Sequence, residues 1–280
     1  MSAVEKERVD ILLVQQGLFD SREQAKRAIM AGEILGENEE RIDKAGQKIP
    51  VSTELHFKGE KLKYVSRGGL KLEKALNDFD ITVADKVVLD IGSSTGGFTD
   101  VALQNGAKMV YALDVGTNQL AWKLRSDERV KVMENTNFRY STLADFKFGQ
   151  PAFATIDVSF ISLGLILPPL SKIISNGGHV VALIKPQFEA GRENVGKNGI
   201  IKDPAVHKQV LQSVTKIMVT NGFSIKALTY SPIKGGQGNI EFLAILTRDE
   251  SATAITDTTI DTLLAQTYAQ LNQTGSHVDE

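Results

Sequence analysis

Apolar positions along this chain follow two different rhythms. In the first 58 residues they come in short clusters. Val9, Leu12, Leu13 and Val14 share one helical face that Gly17 closes, and Ser21 opens a second predicted helix. Gln24 stands three residues after Ser21, the capping-box spacing, and Gly32 supplies a stop. Ile34–Leu35 and residues 48–51 and 55–57 read as short strands around turns.

From residue 68 onward, apolar runs of strand length alternate with helical patterning. Strands are predicted near residues 86–91, 109–115, 130–134, 152–158, 179–184, 225–230 and 241–246. Helices are predicted at 97–105, 118–124, 162–174 and 204–220. Strands separated by helices imply parallel βαβ units, hence a doubly wound α/β sheet with helices on both faces. Only residues 231–240 separate the last two strands, too few for a crossover, so that pair must be antiparallel. The expected division is a small α+β domain over 1–58, a linker over 59–67, a Rossmann-like domain over 68–248 and an acidic tail over 249–280. In the tail, Ile260, Leu263, Leu264 and Leu271 can line one face of a weakly docked helix.

Composition adds exclusions. The 280 residues contain no cysteine, which removes disulfides, thiolate zinc sites and cysteine nucleophiles. The four histidines lack the spacing of a zinc helix, so no metal is expected. No apolar run is long enough to span a bilayer, and the first residues lack the apolar core of a signal peptide. The expected location is therefore cytoplasmic. A net charge of −2 gives no support for nucleic-acid binding by itself. Residues 249–280 hold six acids and no lysine or arginine, however, so the rest of the chain is net positive.

The densest chemical motif is Asp90-Ile91-Gly92-Ser93-Ser94-Thr95-Gly96-Gly97-Phe98-Thr99-Asp100, a buried strand running through a glycine turn into a helix. Such a turn lets a ligand approach backbone without meeting a Cβ. The spacing is neither that of a nicotinamide site nor that of a P-loop. Asp114 ends the second strand, 24 residues after Asp90, where an acid can accept both ribose hydroxyls of an adenosine cofactor. Asp157 and Lys185 end two later strands, and Glu241 begins the last one. The C-terminal ends of parallel strands and the start of an antiparallel one share a single edge of the sheet. These three residues can therefore meet, with Lys71 on a helix above them. Taken singly, each is more simply a solvated lysine or a helix-capping acid.

The glycine motif resembles the S-adenosylmethionine loop of FtsJ-like 2′-O-methyltransferases. The resemblance implies cofactor binding by Asp90, Gly92, Gly96, Gly97, Phe98 and Asp114, with Asn137 beside the adenine. Lys71, Asp157, Lys185 and Glu241 match in order the lysine–aspartate–lysine–glutamate tetrad of that family. The implied role of Lys185 is to orient the ribose 2′-oxygen and take its proton. A lysine acts in this way only when its pKa lies below the ordinary value.

Near the N-terminus, Arg8 through Gly17 and Ser21 through Gly32 resemble the αL-type RNA-binding domain of the small-subunit ribosomal protein four. That resemblance implies RNA contacts by Arg8, Arg22, Lys26 and Arg27. Arg67, Arg192, Lys197 and Lys234 are further candidates on the segments flanking the tetrad. The combination resembles the TlyA-type proteins, often labelled haemolysins. It implies methylation of a cytidine ribose in small-subunit, and in some members large-subunit, ribosomal RNA. The expected partners are ribosomal RNA or ribosomal subunits. Two rival readings are a non-enzymatic ribosome-assembly factor and a membrane-acting haemolysin. The tetrad opposes the first, and the absence of a spanning segment or basic amphipathic helix opposes the second.

Overall fold

The computed structural model describes residues 5–275, apart from residues 20, 38, 59–61, 236–237 and 250. The chain divides into two compact units, Met1–Lys63 and Tyr64–Glu280.

In the first unit, strand β1 (Lys6–Arg8) leads into helix α1 (Val9–Gln15). Helix α2 (Arg22–Ala31) and strands β2 (Ile34–Leu35), β3 (Lys48–Pro50) and β4 (His56–Phe57) follow. β1 pairs with β3 and β2 with β4, both antiparallel. Ser21 Oγ accepts the Gln24 N–H at 3.3 Å, so the cap forms where its spacing indicates. The apolar faces of α1 and α2 bury Val9, Leu12, Leu13, Ala25, Ala28 and Ile29 against Ile34, Ile42 and Leu55.

The second unit opens with α3 (Gly69–Asp78), β5 (Val87–Ile91), α4 (Gly97–Gln104), β6 (Met109–Leu113), α5 (Trp122–Arg125) and β7 (Val130–Met133). It continues with β8 (Phe153–Ile156), α6 (Leu167–Ile173), β9 (His179–Ile184), α7 (Pro186–Glu189) and α8 (Pro204–Thr220), and ends with β10 (Phe223–Tyr230), β11 (Phe242–Arg248) and α9 (Asp257–Gly275). The seven strands lie in the order β10-β11-β9-β8-β5-β6-β7. β7, β6, β5, β8 and β9 are mutually parallel. β11 runs antiparallel to both β9 and β10. The mostly parallel sheet and its antiparallel closing strand are those the hydrophobic pattern predicts.

Alternate strand residues point to opposite faces, so this sheet has two cores. Leu89, Ile91, Ile156 and Ile184 pack with α6, α8 and α9. Val88, Val110, Phe153 and Val181 pack with α3 and α4. Covering both faces is why the strands read as nearly continuous apolar runs.

Four expectations are revised. The helix predicted over 118–124 is a single turn, α5, because Asn118 has φ +56° and Glu134 Oε1 accepts the Gln119 N–H at 3.1 Å. The helix predicted over 162–174 splits into a 3₁₀ turn at Leu163–Leu165 and α6, whose first turn holds proline. The end of the supposed linker belongs to the second unit: Tyr64 is buried in its core, and the Val65 N–H donates to Asp100 Oδ2 at 2.9 Å. The tail carries α9, with Ile260, Leu263 and Leu264 all buried. Burying such side chains contributes about 1.5–3 kcal/mol each, more than a weakly docked end would gain. Leu271 has no described side-chain environment.

Candidate active site

β5 lies between β6 and β8, the point where the strand order reverses and the crevice of such sheets opens. The turn after β5 begins at Gly92, at φ +85°, pressed so closely on the Asp157 carbonyl that a Cβ would collide. Gly96 caps α4, and Phe98 is buried. At Gly97 a Cβ would lie 2.9 Å from the Gly69 nitrogen, so its bare face admits residues 66–69. This close approach joins the glycine turn to α3, the helix that carries Lys71.

Asp90 is reassigned. It is 1 % exposed, and its two oxygens accept the Thr99 and Thr155 hydroxyls at 2.7 and 2.8 Å. Burial pushes its carboxyl up to about 6, against the opposing effect of those hydroxyl bonds. Asp90 therefore braces β5, β8 and α4 beneath the turn.

Asp114 emerges at the C-terminal end of β6. Its oxygens accept the Ser94 N–H at 2.8 Å and the Gly116 N–H at 2.7 Å, which hold the carboxylate in place and leave further lone pairs. Val115 beside it is exposed. Asn137 Oδ1 accepts from the Arg139 backbone and guanidinium, leaving its amide N–H groups to donate elsewhere. An acid for ribose hydroxyls, an apolar neighbour for a base, an amide and a glycine-capped helix end together fit an adenosyl cofactor. Asp114, Val115, Asn137 and the turn Gly92–Gly96 would hold it.

The four tetrad residues meet. Lys185 Nζ lies 2.5 Å from Asp157 Oδ1 and 3.0 Å from Ser159 Oγ. Lys71 Nζ lies 2.7 Å from Glu241 Oε2 and 3.5 Å from Asp157 Oδ2. Asp157 thus bridges two ammonium groups from α3 and the end of β9. The lysines and Glu241 are buried. Gly235 leaves room for the Glu241 carboxylate, which a Cβ at that position would strike.

Several contributors escaped the sequence reading. Ser159 holds Lys185 and sits two residues beyond Asp157, a proximity that was the available signal. Phe160 is 91 % exposed at φ +62°, a costly backbone state for a large side chain. Its ring lies 4.9 Å from that of Phe188, beside a cavity of about 440 Å³ that Gln187, Gly191 and Val195 also line. Glu189 accepts from the Ser162 hydroxyl and the Leu163 N–H, bracing the loop after β9 against the loop after β8. Asn239, buried, bonds the backbone of Gly199 and Ile201 and so staples the β10–β11 loop to the loop after β9. No local pattern marks an asparagine for that role.

The expected RNA contacts divide. The Arg8 and Arg22 guanidinium groups both bond the fully buried Asp10 carboxylate, while their side chains stay part-exposed. Lys26 pairs with Glu23 at 2.8 Å, and Arg27 is exposed. In the second unit Arg67 and Lys234 are exposed. Arg192 and Lys197 stand on 3₁₀ turns, and their side chains lie outside the described residues.

A nucleoside-type turn, a strand-end acid and a lysine–carboxylate network on one rim of a sheet closed by an antiparallel strand define the class as a Rossmann-like methyltransferase. The chain belongs to the FtsJ-like methyltransferase family, whose profile matches residues 64–248. It is 63% identical over 238 residues to YqxC of Bacillus subtilis, provisionally named an rRNA methyltransferase, covering 85% of this chain and 84% of that one. It is 40% identical over 252 residues to the 16S/23S rRNA (cytidine-2'-O)-methyltransferase TlyA of Mycobacterium tuberculosis, covering 88% and 91% of the two chains. A solved structure from Streptococcus thermophilus, provisionally titled a hemolysin, shares 58% identity at a TM-score of 0.78, covering 98% of this chain and all of that one. The resemblance to TlyA-type proteins read from the motifs is thereby borne out. No described helix is long and apolar enough to cross a membrane.

Proposed function

We propose that this protein transfers a methyl group from S-adenosylmethionine to the ribose 2′-hydroxyl of a cytidine in bacterial 16S, and in some contexts 23S, ribosomal RNA. The observation that carries the reading is the hydrogen-bonded chain Glu241–Lys71–Asp157–Lys185–Ser159 at the rim of the sheet. The cofactor, when bound, supplies an electrophilic methyl group. Everything else falls to side chains of this chain.

A ribose hydroxyl must lose its proton as its oxygen attacks. We assign Lys185 Nζ to hold that oxygen and, in its neutral amine form, to receive the proton. Two of its directions are committed to Asp157 and Ser159, so the remaining one is fixed toward an incoming hydroxyl. Lys71 and Glu241 hold Asp157 in register from the opposite side. The exposed Phe160 offers a ring on which a base displaced from its stack can lie. The first unit, with Arg27 exposed on α2, would add affinity for RNA phosphates.

The test is Lys185→Ala incubated with unmodified ribosomal subunits and labelled cofactor. The expected result is no label in RNA, while cofactor binding measured by calorimetry persists. Nuclease digestion of the wild-type product should release a 2′-O-methylated cytidine. Label on a base, or full activity in Lys185→Ala, would overturn the reading.

A further inference from the structure

A second cavity, of about 300 Å³, is lined by Glu241 and by the turn joining β10 to β11, the pair at one end of the sheet. Tyr230, Ile233 and Ile240 line it, together with Lys74 and Lys234. Thr267 and Gln270 of α9 close one side. That helix lies beyond the family match, which ends at residue 248.

The walls are held in place. Lys74 stands one turn after Lys71 on α3. Its ammonium lies 5.0 Å from the Tyr230 ring centroid and 2.5 Å from Asp78 Oδ2. The Ser231 N–H donates to the Glu241 carbonyl and the Ser231 hydroxyl to the Ile233 carbonyl, which fixes the turn after β10. Lys234 is exposed and has no ion pair among the described residues. The cavity thus offers an aromatic ring, aliphatic neighbours and one uncompensated cation, with Glu241 as a wall shared with the tetrad. Neighbouring strands lie about 4.8 Å apart, so a chain whose ribose sits over β9 needs to advance only about two strands to reach Tyr230.

We propose that this cavity receives one nucleotide adjoining the methylated one on the same RNA strand. Its base lies against Tyr230 and Ile233, and its phosphate lies at Lys234. The inference rests on the proposed RNA substrate. It makes α9 part of the surface that selects sequence around the target.

The experiment places a photoreactive amino acid at Ile233 of the full chain, irradiates it with unmodified ribosomal subunits and maps the cross-link by primer extension. The expected cross-link falls on a nucleotide immediately next to the methylated one. In parallel, Tyr230→Ala should raise the KM for RNA by about 5- to 160-fold, the usual range for losing one stacked base. Lys234→Glu should lower the salt dependence of RNA binding by about one contact. Both variants should keep the parental kcat and cofactor affinity, and Lys234→Glu the parental melting temperature. A cross-link to a remote nucleotide or to a ribosomal protein, no cross-link at all, or an unchanged KM in both variants overturns the proposal. Absence of ribose methylation by the wild-type chain would instead sink the functional reading beneath it.

Discussion

Replacing Glu241 by glutamine keeps the shape of a buried side chain and removes its charge. The Lys71 ammonium, on a side chain only 8% exposed, then loses the charge of its partner at 2.7 Å and keeps a charged one only at 3.5 Å. Removing one member of a buried ion pair costs about 3–5 kcal/mol. A unit of this size shifts by about 2–4 °C per kcal/mol, so the melting temperature should fall by about 6–20 °C. The unpaired Lys71 also competes with Lys185 for Asp157, so methyl transfer should fall by at least about tenfold at temperatures where the variant is folded, the equivalent of about 1.4 kcal/mol in the barrier. A double variant, Lys71→Met with Glu241→Leu, leaves no uncompensated charge. It should recover most of the stability while methyl transfer stays lost. Urea titration reads the stability and incorporation of labelled methyl reads the chemistry. If Glu241→Gln melts within about 2 °C of the parent, less than 1 kcal/mol has been lost and the buried pair is not what holds Lys71. A double variant no more stable than the single one would refute the charge argument separately.

Two further predictions concern acids held away from their ordinary range. Asp90 titrates near 6 when folded and near 3.8 when unfolded, so its protonated form stabilises the fold below about pH 4, and this contribution is lost as pH rises through 6. Asp90→Asn should remove that dependence, gaining on the parent by about 3 kcal/mol between pH 4 and 7; parallel stability curves for the two proteins over that range would contradict it. Asp10 is the opposite case. Hydrogen bonds from the Arg8 guanidinium, joined by Arg22, hold its carboxyl down to about 2, so its contribution is complete above about pH 4 and disappears as pH falls toward 2. Asp10→Ala should destabilise the first unit by about 1–3 kcal/mol through the lost charge-assisted hydrogen bonds, since both guanidinium groups remain part-exposed to water. An amide-exchange profile of α1 and α2 unchanged by that substitution would show that Asp10 holds nothing.

What the sequence could express alone was whatever repeats or stands close along the chain. Strand periodicity and the short 231–240 connection determined the sheet and its antiparallel end, because burial on both faces and loop reach are local constraints. The glycine turn and Asp114 were legible for the same reason, since strand, turn and helix are contiguous there. Asp157, Lys185 and Glu241 could be nominated by their places at strand ends, and Lys71 by its place at the start of a helix. Their pairing could not, because which lysine meets which carboxylate depends on how α3 lies across the sheet. Tertiary packing alone made Asp90 a brace, seated residues 66–69 on Gly97, joined Arg8 and Arg22 to a buried aspartate, and docked α9 beside Glu241. Each of those outcomes follows from a partner distant in sequence filling space or neutralising charge, and no local pattern records such a partner.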